Sequence, residues 1–356
     1  MAQNRIDKEI CEKVLTLGCQ YVPVRGGIAQ LLSTYDVYVY EDFNFCANSG
    51  GGNFLSKMMK AFLGVILFLK KMIFDRKIKI VHIHTASHNS FWRSSLYVNL
   101  AKLFRKKVLL HIHGGDFRNF YKKSPKRITR ILNRCDLIVT LTPAWKRYFE
   151  DITDCIPVEV VENVITPPRL NPRDAEGDVI HFLFLGKICA EKGIYDLLSM
   201  LTENRDVAKS VMLHVGGNGE VDKLKAYISD NNLQDCVIFE GWVDENRKAD
   251  LFNLCEISML PSYAEGMPIS LIEAMSYGLY TVSTKVGGIP EVITSDVGTL
   301  YDAGDNKQLR NSIKHVVNNI DTIRNNRQKI VDASVKYMPG NVSEKLNLLY
   351  STLLNS

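Results

Sequence analysis

Two carboxylates with a helix start between them are the most chemically suggestive feature of this 356-residue chain. Glu265 stands in a short loop after the apolar run Ile257–Leu260. Glu273 falls inside the helical pattern Ile269–Tyr277, which Gly278 is placed to end as a left-handed cap. Tyr280–Ser283 then reads as a strand. This is a strand–loop–helix–strand unit of a parallel sheet, with the loop at the carboxyl end of a strand, where such sheets bind ligands. The two carboxylates are far enough apart to span a ligand rather than share a proton. The helix start between them offers unpaired N–H groups and the positive end of a dipole, which suits a phosphate. Together they would cradle an anionic, polyhydroxylated ligand. A surface Glu followed by a solvated helical Glu would give the same letters.

Cations stand at a second place of this kind. The apolar run Val179–Leu185 leads into Lys187 and Lys192, ahead of a helix starting near Ile194. A strand followed by two lysines and a helix is one way to neutralise a diphosphate; a charged turn is the other reading. Gly26 and Gly27 follow a strand at Lys13–Cys19 and precede a helical start, so their amides can approach a phosphate closely, although tight turns use the same pair. Strands at Lys79–His84 and Lys107–His113 each end in His-x-His. Alternation puts both histidines of a pair on one face, so a metal must be considered. Zinc usually also takes a carboxylate or thiolate, and none is indicated nearby, so no metal is expected.

The words around the carboxylates narrow the class. Glu265-Gly266-Met267-Pro268, Glu273-Ala274-Met275, Gly278 and then Val286-Gly287-Gly288-Ile289-Pro290-Glu291 closely resemble the signature of family 4 glycosyltransferases. Met267 stands where an aromatic or Leu is common, and Tyr280 where Pro is common. The resemblance implies two Rossmann-like, doubly wound α/β domains facing across a cleft (the GT-B fold), a nucleotide-sugar donor and retention of anomeric configuration. It implies Glu265, His113 and Lys192 as catalytic groups. The donor set it implies is Gly26, Gly27, Lys187, Lys192, Gly216, Trp242, Val243, Gly266, Met267, Pro268, Ile269 and Glu273. Lys187 replaces the Arg that the family usually carries, which keeps the charge and loses the bidentate fork. His113, in His111-Ile112-His113-Gly114-Gly115, matches the histidine that faces the donor sugar; His84 could be structural.

Length suits two ordinary domains. The expected division is residues 1–166, then 167–339, with the last helix, 340–356, returning to the first domain. Asn171–Asp178 would be a polar linker. Eight cysteines without a C-x-x-C pair fit a reducing cytosol, and the polar, charged first residues point away from a secretory signal. Residues 1–170 carry 26 Lys and Arg against 14 Asp and Glu, whereas residues 171–356 carry 18 against 25. A basic first half is expected to meet an anionic membrane or a lipid-diphosphate acceptor, since no nucleic-acid-binding motif is legible. The basic, aromatic stretch Phe117–Arg130 would make that contact.

Further elements are less distinctive. Tyr35–Glu41 reads as a second strand, and Ala47–Asn53 as a Gly/Ser/Asn-rich loop. The segment from Phe54 to Lys77 reads as an amphipathic helix whose apolar centre, Ala61–Leu69, is far short of a bilayer span. Burial as a crossover helix is the default reading, and an interfacial position with Lys57, Lys60, Lys70 and Lys71 at headgroup level is the alternative. Asp136–Thr140 and Val158–Val161 complete the first sheet. His214–Glu220 lacks the third glycine of a dinucleotide fingerprint, so NAD is not expected; no cofactor is, the nucleotide-sugar being a substrate. The resulting expectation is a metal-independent, cytoplasmic glycosyltransferase transferring to a lipid-linked or saccharide acceptor. A nucleotide-sugar epimerase of the same fold and a noncatalytic nucleotide-sugar-binding protein are the alternatives.

Overall fold

The computed structural model describes residues 5–24, 26–171, 177 and 179–356. The described residues form twelve strands: β1 Val14–Cys19, β2 Phe45–Ser49, β3 Ile80–Thr85, β4 Lys107–Ile112, β5 Leu137–Thr140, β6 Val158–Val160, β7 Ile180–Leu185, β8 Val211–Gly216, β9 Val237–Gly241, β10 Ile257–Leu260, β11 Tyr280–Thr284 and β12 Gly298–Tyr301. They form two six-stranded sheets, ordered β2-β1-β3-β4-β5-β6 and β12-β11-β10-β7-β8-β9. Every pairing is parallel. Strands such as β3, β5 and β11 are buried along their whole length, because helices cover both faces of a doubly wound sheet. The protein is therefore built of two Rossmann-like α/β units.

One unit comprises Met1–Thr166 with Lys336–Ser356, and the other Pro167–Val335. The returning segment starts earlier than the expected residue 340. Tyr337 is fully buried, and its carbonyl accepts from Ile165 N at 3.2 Å, both in the first unit. The final helix, Pro339–Asn355, buries Val342, Leu346, Tyr350 and Leu353. Most of the expected linker lies outside the described residues.

Two local expectations fail. Tyr35–Glu41 is no strand: the helix Gly27–Thr34 runs on into a π-turn at Tyr35–Val39. Tyr35 and Val39 are buried one turn apart, so the aromatic alternation hides a helical period. The strand place beside β1 goes to Phe45–Ser49, which takes in the start of the expected loop. Its burial alternates as an edge strand's does, and its small polar residues gave no apolar run to recognise.

The Phe54–Phe74 helix starts at Asn53, whose side chain accepts from Ser56 N at 2.9 Å. It is the crossover from β2 to β3, yet it buries only Gly64, Phe68 and Met72. The default expectation of a buried helix is corrected: most of its large apolar side chains are exposed. No helix among the described residues is long and apolar enough to cross a membrane.

Candidate active site

The second sheet changes its direction of travel between β7 and β10. From β7 the chain moves outward to β8 and β9; from β10 it moves the other way, to β11 and β12. Loops leaving two such strands diverge and open a crevice at their carboxyl ends. Lys192 follows β7 and Glu265 follows β10. Across this switch point Lys192 Nζ donates to Glu265 Oε1 at 2.5 Å, with both side chains mostly shielded from solvent.

Backbone contacts hold the two loops together. Lys192 ends a short 3-10 turn, Ala190–Lys192, and Gly193 leaves it in the left-handed region at φ 70°. A Cβ on Gly193 would overlap the Pro261 carbonyl. Tyr263 N donates to Glu191 O at 2.9 Å, and Ser262 Oγ donates to the same carbonyl at 3.3 Å. On the other side, Thr284 Oγ1 donates to Ser262 O at 2.5 Å and Gly288 N to Gly266 O at 2.8 Å. Gly287 adopts φ 55°, and a Cβ there would overlap the Glu265 carbonyl oxygen. The Gly287-Gly288 pair thus forms the wall against which the Glu265 backbone rests.

Glu273 is not a solvated helical residue. It is buried on the helix Ile269–Ser276 and accepts from Lys248 Nζ at 2.7 Å; Lys248 also reaches Glu245 at 3.0 Å. Burial pushes the Glu273 carboxyl above its usual range, and the Lys248 charge pulls it back. Burial would depress Lys248, but the Glu273 and Glu245 carboxylates outweigh it and keep the ammonium charged. Pro268 is the N-cap of this helix and makes no side-chain cap bond; Met267 and Pro268 are buried, Gly266 and Ile269 partly so.

The turns after β8 and β9 adjoin the same edge. Gly216 leaves room for Val243, whose Cγ2 would stand 2.6 Å from a Cβ at that position. Gly217 N donates to Gly241 O at 2.8 Å. Gly217 takes φ 149°, where a Cβ would overlap the Gly186 carbonyl beside Lys187. Lys187 and Trp242 are exposed.

In the first unit, Gly26 (φ 97°) is the N-cap of the helix Gly27–Thr34, which has no side-chain cap. Its neighbour Arg25 lies outside the described residues. The four histidines of β3 and β4 form a ladder on one sheet face. His84 Nδ1 pairs with His113 Nε2 at 2.9 Å, His82 Nε2 with His111 Nδ1 at 3.3 Å, and His82 Nδ1 with the Tyr350 hydroxyl at 2.6 Å. Burial, then mutual repulsion, holds His82, His84 and His111 well below the usual histidine range. His113 is lowered to about 3, mainly by burial, with Asn163 opposing. Its Nε2 is engaged by His84, and Asn163 hydrogen-bonds the same ring. His82, His84 and His111 offer ring nitrogens within 4.8 Å of one another. That donor set contains neither carboxylate nor thiolate.

The Glycosyltransferase Family 4 profile matches residues 44–169, and that of Glycosyl transferases group 1 matches residues 171–334. The chain belongs to the family 4 glycosyltransferases. It is 26% identical over 273 residues to the amylovoran biosynthesis glycosyltransferase AmsK of Erwinia amylovora, an alignment covering 72% of this chain and 65% of AmsK. It is 32% identical over 157 residues to the lipopolysaccharide 1,6-galactosyltransferase of Escherichia coli strain K12, covering 42% of this chain and 41% of that enzyme. The aligned stretches thus span less than two thirds of either relative. Anabaena Alr3699/HepE, solved in complex with UDP-glucose, superposes with a TM-score of 0.73 at 16% identity, covering 95% of this chain and 99% of that one.

In this family 4 glycosyltransferase the fold gathers Lys187, Lys192, Gly216, Trp242, Val243, Gly266, Met267, Pro268, Ile269 and Glu265 around the carboxyl edge of the second sheet, while Gly26, Gly27 and His113 belong to the first unit. Glu273 follows the Glu265 loop by one helix and faces Lys248. Sequence reading missed Lys248, 25 residues from Glu273 on an unremarkable polar helix, and no local signal marks it. It also missed why Gly193 and Gly287 are glycines. Gly287 lay inside the quoted signature, so its place was legible and its task was not.

Proposed function

We propose that this protein is a retaining glycosyltransferase that moves a sugar from a nucleoside-diphosphate sugar to an acceptor hydroxyl in surface-polysaccharide or glycolipid assembly. The Lys192–Glu265 pair at the switch point of the second sheet carries the reading. An incoming donor supplies both members with better partners: its diphosphate takes the ammonium, and its sugar hydroxyls take the carboxylate. Lys187 and Lys192 then stabilise the charge that grows as the diphosphate departs. The amino end of the Ile269–Ser276 helix adds its unpaired N–H groups. Glu265 anchors the sugar, the donor phosphate deprotonates the acceptor on the same face, and Glu273 accepts from the ribose hydroxyls. The HepE complexes with UDP and UDP-glucose support a uridine donor by likeness of fold.

The same proposal makes the enzyme metal-independent and cytoplasmic, with a lipid-linked or saccharide acceptor and peripheral contact with an anionic membrane. A thermal-shift panel of UDP- and GDP-sugars tests donor binding, since a ligand of the folded state raises its stability by mass action. Release of free nucleoside diphosphate, with and without acceptor, then tests transfer. No stabilisation by any nucleotide sugar would overturn the reading, and loss of turnover in EDTA with recovery in Mg²⁺ or Mn²⁺ would overturn its metal independence.

A further inference from the structure

Four successive helices of the first unit, Phe54–Phe74, Asn89–Leu103, Phe117–Lys123 and Pro125–Leu132, contain twelve lysines and arginines and no aspartate or glutamate. They form one layer. Phe68 and Met72, Phe91 and Tyr97, Phe117 and Phe120, and Ile128 and Leu132 all enter the same apolar cluster against the first sheet. The outer side of these four helices therefore has one sign of charge, whereas the next helix of the layer, Pro143–Ile152, adds Glu150 and Asp151.

The first of these helices also carries an apolar arc. Its buried stripe lies tight on β2, where a Cβ on Gly64 would stand 2.5 Å from the Ala47 carbonyl. Exposed at the helix start and along its outer side are Phe54, Leu55, Met58, Met59, Phe62, Leu63, Ile66, Leu67, Ile73 and Phe74, each between 45% and 78% exposed. Single exposed apolar residues are ordinary, but a continuous arc along six turns of helix marks an interaction surface. Lys57 and Lys70 are exposed near its ends, and Lys122, Lys123, Lys126, Arg127 and Arg130 are exposed in the same layer. A second copy meeting this face symmetrically would set like charges against each other. Anionic lipid headgroups above an acyl interior match both the charge and the apolar arc.

We propose that this face docks on an anionic bilayer, with the Phe54–Phe74 helix lying in the interfacial plane. Its apolar arc sits below the headgroups, and the exposed lysines and arginines sit at phosphate level. The inference rests on the peripheral contact proposed above and names the surface that makes it.

Full-length protein is sedimented with vesicles of phosphatidylcholine alone and of phosphatidylcholine with phosphatidylglycerol. The parent should partition onto the anionic vesicles, and less so as salt rises. Phe62→Ser with Ile66→Ser should weaken partition roughly tenfold or more, because both side chains leave water on docking. Lys122→Glu with Lys123→Glu should erase the preference for anionic lipid. All variants should keep the parent's thermal unfolding and its response to nucleotide sugar, so that a failure here is separable from failure of the transferase reading. Equal binding to both vesicles, or to neither, overturns the proposal. Undiminished binding by the serine variant assigns peripheral contact to another surface. Sedimentation velocity without lipid provides the remaining check: a parent dimer that the serine variant loses would make a second copy the occupant.

Discussion

Gly287 lies against Glu265 so closely that any side chain at position 287 would overlap the Glu265 carbonyl oxygen. The loop that bears the carboxylate thus has a fixed floor, supplied by the segment after the next strand. Gly288 N bonded to Gly266 O completes it. The first prediction follows from this contact. Gly287→Ala must move the Glu265 backbone and give up a left-handed φ that alanine adopts at a cost of about 1 kcal/mol. Turnover should fall at least about tenfold while the far-UV circular dichroism stays that of the parent. Parent-like kinetics for Gly287→Ala would show that Glu265 needs no such floor.

Lys192→Ala leaves Glu265 without its partner and removes a cation from the departing diphosphate. Both donor affinity and kcat should drop, each by about ten- to a hundredfold, the equivalent of roughly 1.5–3 kcal/mol for a charged hydrogen bond. Lys187→Arg should be tolerated, because Lys187 is exposed and Arg keeps the charge. Steady-state kinetics on both variants checks this, and unchanged kinetics in Lys192→Ala would remove that lysine from the site.

The two glutamates should fail differently. Glu273→Gln alters a group assigned to the ribose, which does not change during reaction, so donor KM should rise more than kcat falls. Lys248→Met should reproduce that pattern in weaker form, since Lys248 holds Glu273 at 2.7 Å. Glu265→Gln should mainly lower kcat, because the position of the sugar relative to the acceptor decides the rate. If Glu265→Gln loses nucleoside-diphosphate binding while Glu273→Gln keeps it, the two assignments are reversed.

Acid should weaken the fold through the histidine ladder. His82, His84, His111 and His113 have folded-state values below the ordinary histidine value of 6.5. The unfolded chain therefore binds protons that the folded chain refuses, and stability declines as pH falls below about 6.5. For His113 the loss continues down to about pH 3. His181 of the second unit is also lowered, chiefly by burial, and adds to the slope. Between roughly pH 6.5 and 5 most carboxylates stay ionised, so the histidines dominate there. Each contributes up to about 1.4 kcal/mol per pH unit. Denaturant melts across that window should show the decline, and His111→Leu should flatten it. A parent whose stability is level from pH 6.5 to 5 would contradict the neutral, buried state of the ladder.

Much of this protein is legible in its sequence because the relevant signals are local. Apolar runs such as Ile257–Leu260 and Ile180–Leu185 declare buried parallel strands, Gly278 ends its helix in the left-handed region at φ 77°, and the residue types around Glu265 and Lys192 declare their chemistry. The sequence also sets the charge asymmetry and the absence of acidic residues from four successive helices. Tertiary structure alone decided the rest. Lys192 and Glu265 are 73 residues apart and meet because β10 pairs beside β7, a choice made by sheet assembly rather than by either loop. Lys248 reaches Glu273, and Gly287 reaches Glu265, for the same reason. Tyr35–Glu41 read as a strand because its alternation was visible, while the burial that favours a π-turn at Tyr35–Val39 is not written in the segment itself. The Phe54–Phe74 helix shows the same limit from the opposite side. Its amphipathic pattern is local, but which apolar face is covered depends on how much of it β2 and its neighbours can reach, and they reach only the stripe through Gly64, Phe68 and Met72.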